Sequence, residues 1–241
     1  MEVESFEAEL ARAGDPAAIW RALTGAFAGT VVERILYHHL PPLGAADAGR
    51  ITISAEGFPE EIVARYIAER HYRSNPLLSY AQQSVEPFYF DEITERRHLS
   101  PREKDWIREV QASGYTNGLG VQVFGPGGRN GYFGLGFAGD VTRLEPSEPP
   151  RMKRLCQAAH ARYCAQVLAI QDAPPTLSDR EGEILVWVAR GKSNAAIAEI
   201  LGISAHTVDA HLRRIYLKLG VYDRVTAAVR GIGLGLVHSS L

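Results

Sequence analysis

The sequence predicts an α+β chain in two parts: an antiparallel sheet covered by helices on its faces, then an all-α tail. Three observations carry this reading. Strand-like and helix-like patterns are interleaved up to about residue 170, and beyond residue 176 only helical spacing remains. Between them QDAPPT, residues 171–176, sets two prolines among small polar residues. A chain of 241 residues has room for two ordinary domains. The predicted division is therefore 1–170, a linker over 171–176, and 177–241.

In the front part, VVERILYHHL and RITISA show the β-branched alternation of strands, and EEIVARYIAERHY then shifts to helical spacing. Asn75-Pro76 punctuates that helix, and LLSYAQQ begins another. In SPREKDWIREVQASG, Ser100 can cap, Pro101 suits the first turn, Glu103 completes a capping box and Gly114 ends the helix. GLGVQVFGPGGRNGYFGLGF reads as two strands around a glycine-rich turn. A long helix near 148–170 follows, with Met152, Leu155, Cys156, Ala159, Tyr163, Val167 and Ile170 along one face. Such a stripe suits core packing. At the edge of a domain it also suits pairing with a second chain.

The bulk properties exclude more than they select. No run of about 18 apolar residues is present, and the acidic start MEVESFEAEL is not a secretory leader, so a soluble, cytoplasmic protein is expected. Cys156 and Cys164 lie on one side of a helical pattern as small buried hydrophobes, and neither a metal nor a redox role is expected of them. His38 and His39 must point to opposite faces of a strand, which makes them poor joint ligands. The glycine-rich turn lacks the GxxxxGK[ST] order of a phosphate cradle, and no HExxH or GxSxG occurs. Nothing supports an enzyme or implies a cofactor.

The tail's local signals agree with one another. Ser178 and Glu181 form a capping box for a helix ending before Gly191; a short helix runs through Leu201; Ser204 caps a longer one ending before Gly220; a fourth begins near Asp223. In the third, Val208, Leu212, Ile215 and Leu219 make one buried stripe, and the opposite face carries His206, Asp209, Ala210, Arg213 and Arg214. Two helices joined by a tight turn form a helix-turn-helix, whose second helix fits the DNA major groove. Arg213 can donate two bonds to guanine, Asp209 can accept from cytosine, and Ala210 can touch a thymine methyl. Lys192, Thr207, Arg214 and Lys218 suit the phosphate side of such a contact, and Ser204 is counted with the DNA-binding residues. The plainer alternative is a helical subdomain with a solvated face. The tail has 8 Lys+Arg against 6 Asp+Glu, a balance too even to decide between them.

LSDREGEILVWVARGKSNAAIAEILGISAHTVDAHLRRIYLKLGV resembles the DNA-binding domain of the LuxR family over residues 177–237. Glu181, Leu185 and Gly191 match its helix-start acid, core leucine and turn glycine, and GKSN, IA, IS, TV, H and KLGV follow in order. The resemblance implies a four-helix module that binds double-stranded DNA as a homodimer. Two-fold symmetry then implies a pseudo-palindromic operator, with half-sites about 10 or 20 base pairs apart.

Over roughly residues 15–170 the front part is similar to the autoinducer-binding domain of quorum-sensing LuxR regulators. This implies an α/β/α sandwich with a ligand pocket between the sheet and one helical layer. The family's pattern has tryptophan where Ile62 stands, tyrosine at Tyr66, aspartate where Asn75 stands, proline at Pro76, and tryptophan at Phe90. In relatives that bind N-acyl homoserine lactones, that first tryptophan donates to the lactone carbonyl and the aspartate accepts from the ligand amide. Ile62 cannot donate, and Asn75 keeps a carbonyl acceptor while adding an NH₂ group that needs a partner. Gly134 stands where relatives often carry a hydroxyl. The expected pocket residues are Phe58, Ile62, Tyr66, Asn75, Phe88, Phe90 and Gly134. Three readings stay open here: a non-standard ligand, a lactone held through water, or an aromatic core that folds with no ligand.

Overall fold

The computed structural model describes residues 3–49, 52–112, 114–171 and 173–237. Asp172 of the expected linker, Arg50 and Ile51 of the expected second strand, and the last four residues of the tail lie outside them. The chain separates into two compact units, Met1–Leu40 with Ile51–Ala169, and Pro41–Arg50 with Ile170–Leu241.

The first unit opens with two helices that strand-centred reading does not assign, α1 (Val3–Arg12) and α2 (Pro16–Phe27). The start of α2 is nonetheless written locally: Pro16 occupies its first turn, and the Asp15 carboxylate accepts from the Ala18 N–H at 2.7 Å. Strands β1 (Val32–Leu40) and β2 (Thr52–Glu56) fall where predicted. The next helix, α3 (Glu60–Ala68), is shorter than its pattern. Arg70 adopts the left-handed conformation at φ 57° and turns the chain into a single 3₁₀ turn, His71–Arg73. Helix α4 (Pro76–Ala81), strand β3 (Phe88–Tyr89), α5 (Glu92–Arg96), α6 (Pro101–Ala112), β4 (Gly118–Val123), β5 (Asn130–Phe137) and α7 (Glu148–Ala169) complete the unit. The predicted capping box of α6 forms: Glu103 N–H donates to Ser100 Oγ, and Ser100 N–H donates to Glu103 Oε2.

The five strands are antiparallel, in the order β2-β1-β5-β4-β3. Because side chains alternate across a strand, the sheet has two different faces. On one, Tyr37, Val121, Val123, Phe133 and Leu135 pack with Phe6, Leu23 and Phe27 of the first helices and with Met152, Leu155, Cys156 and Ala159 of α7. The predicted stripe of α7 therefore holds through Tyr163, which is partly buried against the same core, but not to its end. Ile170 is 81% exposed, while His160 and Cys164 are buried in its stead. The other face is stripped of side chains where Gly118 pairs with Gly136 and Gly120 with Gly134. Aromatic rings fill the space this leaves. A Cβ on Gly118 would stand 2.3 Å from the Phe90 ring, one on Gly120 2.3 Å from Phe88, and one on Gly136 2.2 Å from Tyr115. These rings join Leu77, Leu78, Trp106 and Tyr132 in a second core.

The second unit holds four helices at the predicted places: α8 (Asp179–Ala189), α9 (Asn194–Leu201), α10 (Ala205–Leu219) and α11 (Arg224–Gly233). The side chains of Ser178, Ser193, Ser204 and Asp223 each accept from a backbone N–H three residues on, a cap worth about 1 kcal/mol apiece. Val208, Leu212, Ile215 and Leu219 of α10 are buried against Ile184, Leu185, Val188 and Ile197.

Candidate nucleic-acid interface and ligand pocket

Gly202, left-handed at φ 64°, ends α9, and two residues later Ser204 starts α10. Burying the 208-212-215-219 stripe leaves the other side of α10 outward. His206, Arg213 and Arg214 are exposed there, with Asp209 and Ala210 half-buried beside them. Arg213 donates to the Asp209 carboxylate at 2.7 Å, so two residues assigned separate bases are paired with each other in the free protein. Ser204 faces inward along its own helix, its hydroxyl holding the Thr207 N–H at 3.0 Å and the Thr207 hydroxyl at 2.8 Å. Lys192 is exposed just after the α8 turn.

Lys218 departs from its assignment. Its ammonium lies 2.6 Å from Glu181 Oε2 and 3.0 Å from the Thr176 carbonyl, so it is committed to the start of α8 rather than left free for a phosphate. The physical cause is Glu181, a carboxylate only 3% exposed that needs a cation as well as its capping bonds. Burial raises the Glu181 pKa, but Lys218 and the Ser178 amide outweigh that and hold it below the usual carboxylate value. Sequence reasoning also missed Arg224, which donates to Asn194 Oδ1 at 2.9 Å and to the Lys192 carbonyl, bracing the turn between α8 and α9.

In the first unit, Asn75 does not offer the acceptor expected of it. Its side-chain carbonyl takes the N–H groups of Leu77 (3.0 Å) and Leu78 (3.4 Å) and so caps α4. Its NH₂ donates to the Tyr66 hydroxyl at 3.0 Å, and that hydroxyl lies 3.1 Å from His38 Nε2. The proton order that satisfies all three groups is Asn75 to Tyr66 to His38, with His38 neutral and accepting at Nε2. Burial favours this state, lowering the His38 pKa to about 4.

Gly134 also has a different meaning from a missing hydroxyl. A Cβ there would stand 2.8 Å from the Tyr115 hydroxyl and 3.1 Å from that of Tyr132, so two phenols occupy the space a serine or threonine would take. Neither tyrosine figures among the expected pocket residues. The Tyr115 hydroxyl is buried and makes no hydrogen bond among the described residues. Phe58 and Phe90 meet the Tyr115 ring edge-on at 5.1 and 5.2 Å, and Phe88 meets Tyr80 at 4.7 Å. Ile62 is half-buried on α3. A cavity of about 190 Å³ adjoins this cluster, lined by Leu77, Phe90, Trp106, Val110, Tyr115 and Thr116 among others. Phe90 is the one expected pocket residue that lines it.

Comparison with known proteins agrees with this geometry. Residues 15–163 match the family model described as autoinducer binding domain, and residues 175–230 match that of bacterial regulatory proteins, luxR family. The transcriptional activator protein AhyR of Aeromonas hydrophila is 29% identical over 76% of this chain and 72% of its own length. AnoR of Acinetobacter nosocomialis is 27% identical over 77% and 79%. Among solved structures, Escherichia coli SdiA superposes with a TM-score of 0.69 at 18% identity, covering 98% of each chain. A complex of SdiA with octanoyl-rac-glycerol gives 0.71 at 18% identity, covering 98% of this chain and 96% of that one. Among the described residues no helix is long and apolar enough to cross a membrane. With both domain models matched in order along one sequence, the chain belongs to the LuxR family of quorum-sensing transcriptional regulators.

Proposed function

We propose that this regulator binds a pseudo-palindromic operator as a homodimer, and that its front domain answers a compact, largely apolar ligand other than the usual N-acyl homoserine lactones. The domains divide at residues 171–176. On the DNA, Arg213, Asp209, Ala210 and His206 face base edges, while Lys192, Thr207 and Arg214 face phosphates. The observation that carries the ligand reading is the buried Tyr115 hydroxyl, which has no hydrogen-bond partner among the described residues and belongs to a residue that lines the cavity. A buried polar group left in this state costs about 1 to 3 kcal/mol, and a ligand acceptor would recover it. Ile62 supplies no donor, and the Asn75 carbonyl is occupied by α4. A lactone that loses both contacts is weakened by about two orders of magnitude. The cavity, at about 190 Å³, is below the usual range of roughly 300 Å³ and upward.

The test is mass spectrometry of the small molecules that co-purify with the native protein. It is followed by displacement with N-acyl homoserine lactones and with octanoyl-rac-glycerol, the molecule held by the SdiA complex. A bound non-lactone compound that lactones fail to displace supports the proposal. Tight stoichiometric lactone binding refutes it. One observation favours a second reading: Phe88, Phe90 and Tyr115 occupy the glycine face directly, so the aromatic core can serve folding and dimerisation alone. An empty, folded, DNA-binding dimer would support that reading.

A further inference from the structure

The neighbouring histidines of β1 belong to different worlds. His38 reaches Tyr66 on the glycine face, whereas His39 turns to the α7 face, with its ring 6.0 Å from that of His160 and 5.1 Å from Tyr163. There three side chains converge, His39 from β1 and His160 and Cys164 from successive turns of α7. One ligand atom each from His39, His160 and Cys164 lie within 4.8 Å of one another, and all three residues are buried. Cys164 Sγ is 3.4 Å from His160 Nε2. A nitrogen and a sulfur on one tetrahedral ion, at about 2.0 and 2.3 Å from it, stand about 3.5 Å apart. A fourth atom joins them: the Arg129 carbonyl oxygen, 2.8 Å from His160 Nε2 and 3.8 Å from Cys164 Sγ.

The turn between β4 and β5 presses close on the same atoms. A Cβ on Gly125 would stand 2.3 Å from the Arg129 oxygen, 2.9 Å from Cys164 Sγ and 3.0 Å from His160 Nε2, so only glycine lets the backbone approach them this closely. On the far side of the His160 ring, Nδ1 lies 2.8 Å from the Tyr37 hydroxyl, which donates to it while Nε2 donates to the Arg129 carbonyl and would turn to accept once Nδ1 carries the proton.

We propose that His39, His160 and Cys164 form a buried site for monovalent copper. Two imidazoles and a thiolate are soft donors suited to Cu⁺. One thiolate neutralises one positive charge, which a dry site demands, whereas Zn²⁺ would leave a net charge without a carboxylate. On binding, the Cys164 S–H bond breaks, an S–Cu bond forms and the proton leaves to solvent. The His160 proton moves from Nε2 to Nδ1, where the Tyr37 oxygen accepts it, and no electron is transferred. Occupancy ties β1, the β4–β5 turn and α7 together.

The test is an anaerobic titration of the full chain with Cu⁺ against a chromophoric copper chelator, together with copper X-ray absorption of the loaded protein. One equivalent of Cu⁺ is expected, with one sulfur and two nitrogen neighbours and a raised melting temperature. Cys164→Ser and Gly125→Ala should each weaken binding on the order of 100-fold or more, and Cys156→Ser should not. The proposal is overturned if wild-type protein retains no copper, if the spectrum lacks sulfur, or if Cys164→Ser binds as wild type. Preference for Zn²⁺ would overturn the assignment to a monovalent ion. The wild-type spectrum decides the matter even where a variant does not fold.

Discussion

The hydroxyl of Tyr115 and the bare Cα of Gly134 face each other so closely that a Cβ at 134 would lie 2.8 Å from the phenol oxygen. The pair defines the floor of the second core, and it separates a ligand contact from a packing one. If the hydroxyl waits for a ligand, Tyr115→Phe removes an unpaired buried group and stabilises the ligand-free protein by about 1 kcal/mol. The same change weakens the co-purifying ligand about tenfold. Thermal melts of the empty and loaded protein give both numbers. Destabilisation of the empty form would mean that the hydroxyl has a partner, and the ligand argument would fail.

Gly134→Ser should do the reverse. Its side chain would start within 3.1 Å of both the Tyr115 and Tyr132 hydroxyls, so one ring must move and stability drops by about 1 to 3 kcal/mol. Denaturant unfolding measures this, and an unchanged midpoint would show that the two rings yield freely.

Restoring the family's donor and acceptor tests why the usual lactone contacts are missing. Asn75→Asp keeps an oxygen on the α4 N–H groups, where a negative charge is favourable, but it removes the donor to Tyr66. Tyr66 then turns its proton to the carboxylate and leaves His38 Nε2 without one. The single change should therefore lower stability without creating a lactone site. Together with Ile62→Trp, which returns a donor, lactone affinity should rise at least about tenfold by calorimetry. No gain in the double variant would place the cause of the departures elsewhere.

The features legible in the sequence are those whose physics is local. Ser100, Ser178, Ser204, Gly202 and Gly220 each act within about one turn of the helix they bound, so their roles follow from a few adjacent letters. Asp15-Pro16 carries the same kind of signal for α2, yet it does not reveal the sheet face that helix covers. The early end of α3 has no such mark, because Arg70 takes a conformation that usually belongs to glycine. The pocket was legible only in outline. Tyr132 shares a face with Gly134 by alternation along β5, but Tyr115 reaches it only through the exit from α6, which is not written beside it. The alternating glycines of GLGVQV and GYFGLGF do record a stripped sheet face, and that pattern could have pointed to the rings upon it.

Lys218 shows the same limit on the tail, since its partner Glu181 lies 37 residues earlier. The carboxylate is buried and its pKa is lowered in the folded state, so its contribution to stability is present above the unfolded pKa. That contribution is lost as pH falls through the lowered folded value. Lys218→Met should cost about 1 to 2 kcal/mol at neutral pH, a range reduced because the lysine side chain is 38% exposed to screening solvent. The difference from wild type should shrink as the solution is acidified. A pH series of denaturant melts checks this, and a gap that stayed constant down to strongly acidic pH would deny the ion pair its role.

On the outward side of α10, Arg213 and Asp209 start as partners at 2.7 Å, so base reading must either open the pair or use it as a unit. Arg213→Ala should then cost about 1 to 3 kcal/mol of specific affinity and relax the preference at one base position. Asp209→Ala frees the guanidinium without removing it. It should raise affinity for nonspecific duplex, because the arginine is no longer neutralised, while lowering discrimination. Lys192→Ala should weaken all sequences alike and reduce the slope of affinity against salt by about one. Binding titrations of the three variants on an operator and on unrelated duplex, each at several salt concentrations, separate these outcomes. Unchanged specificity in Arg213→Ala would take that residue off the reading face, and an unchanged salt slope in Lys192→Ala would take that lysine off the phosphates.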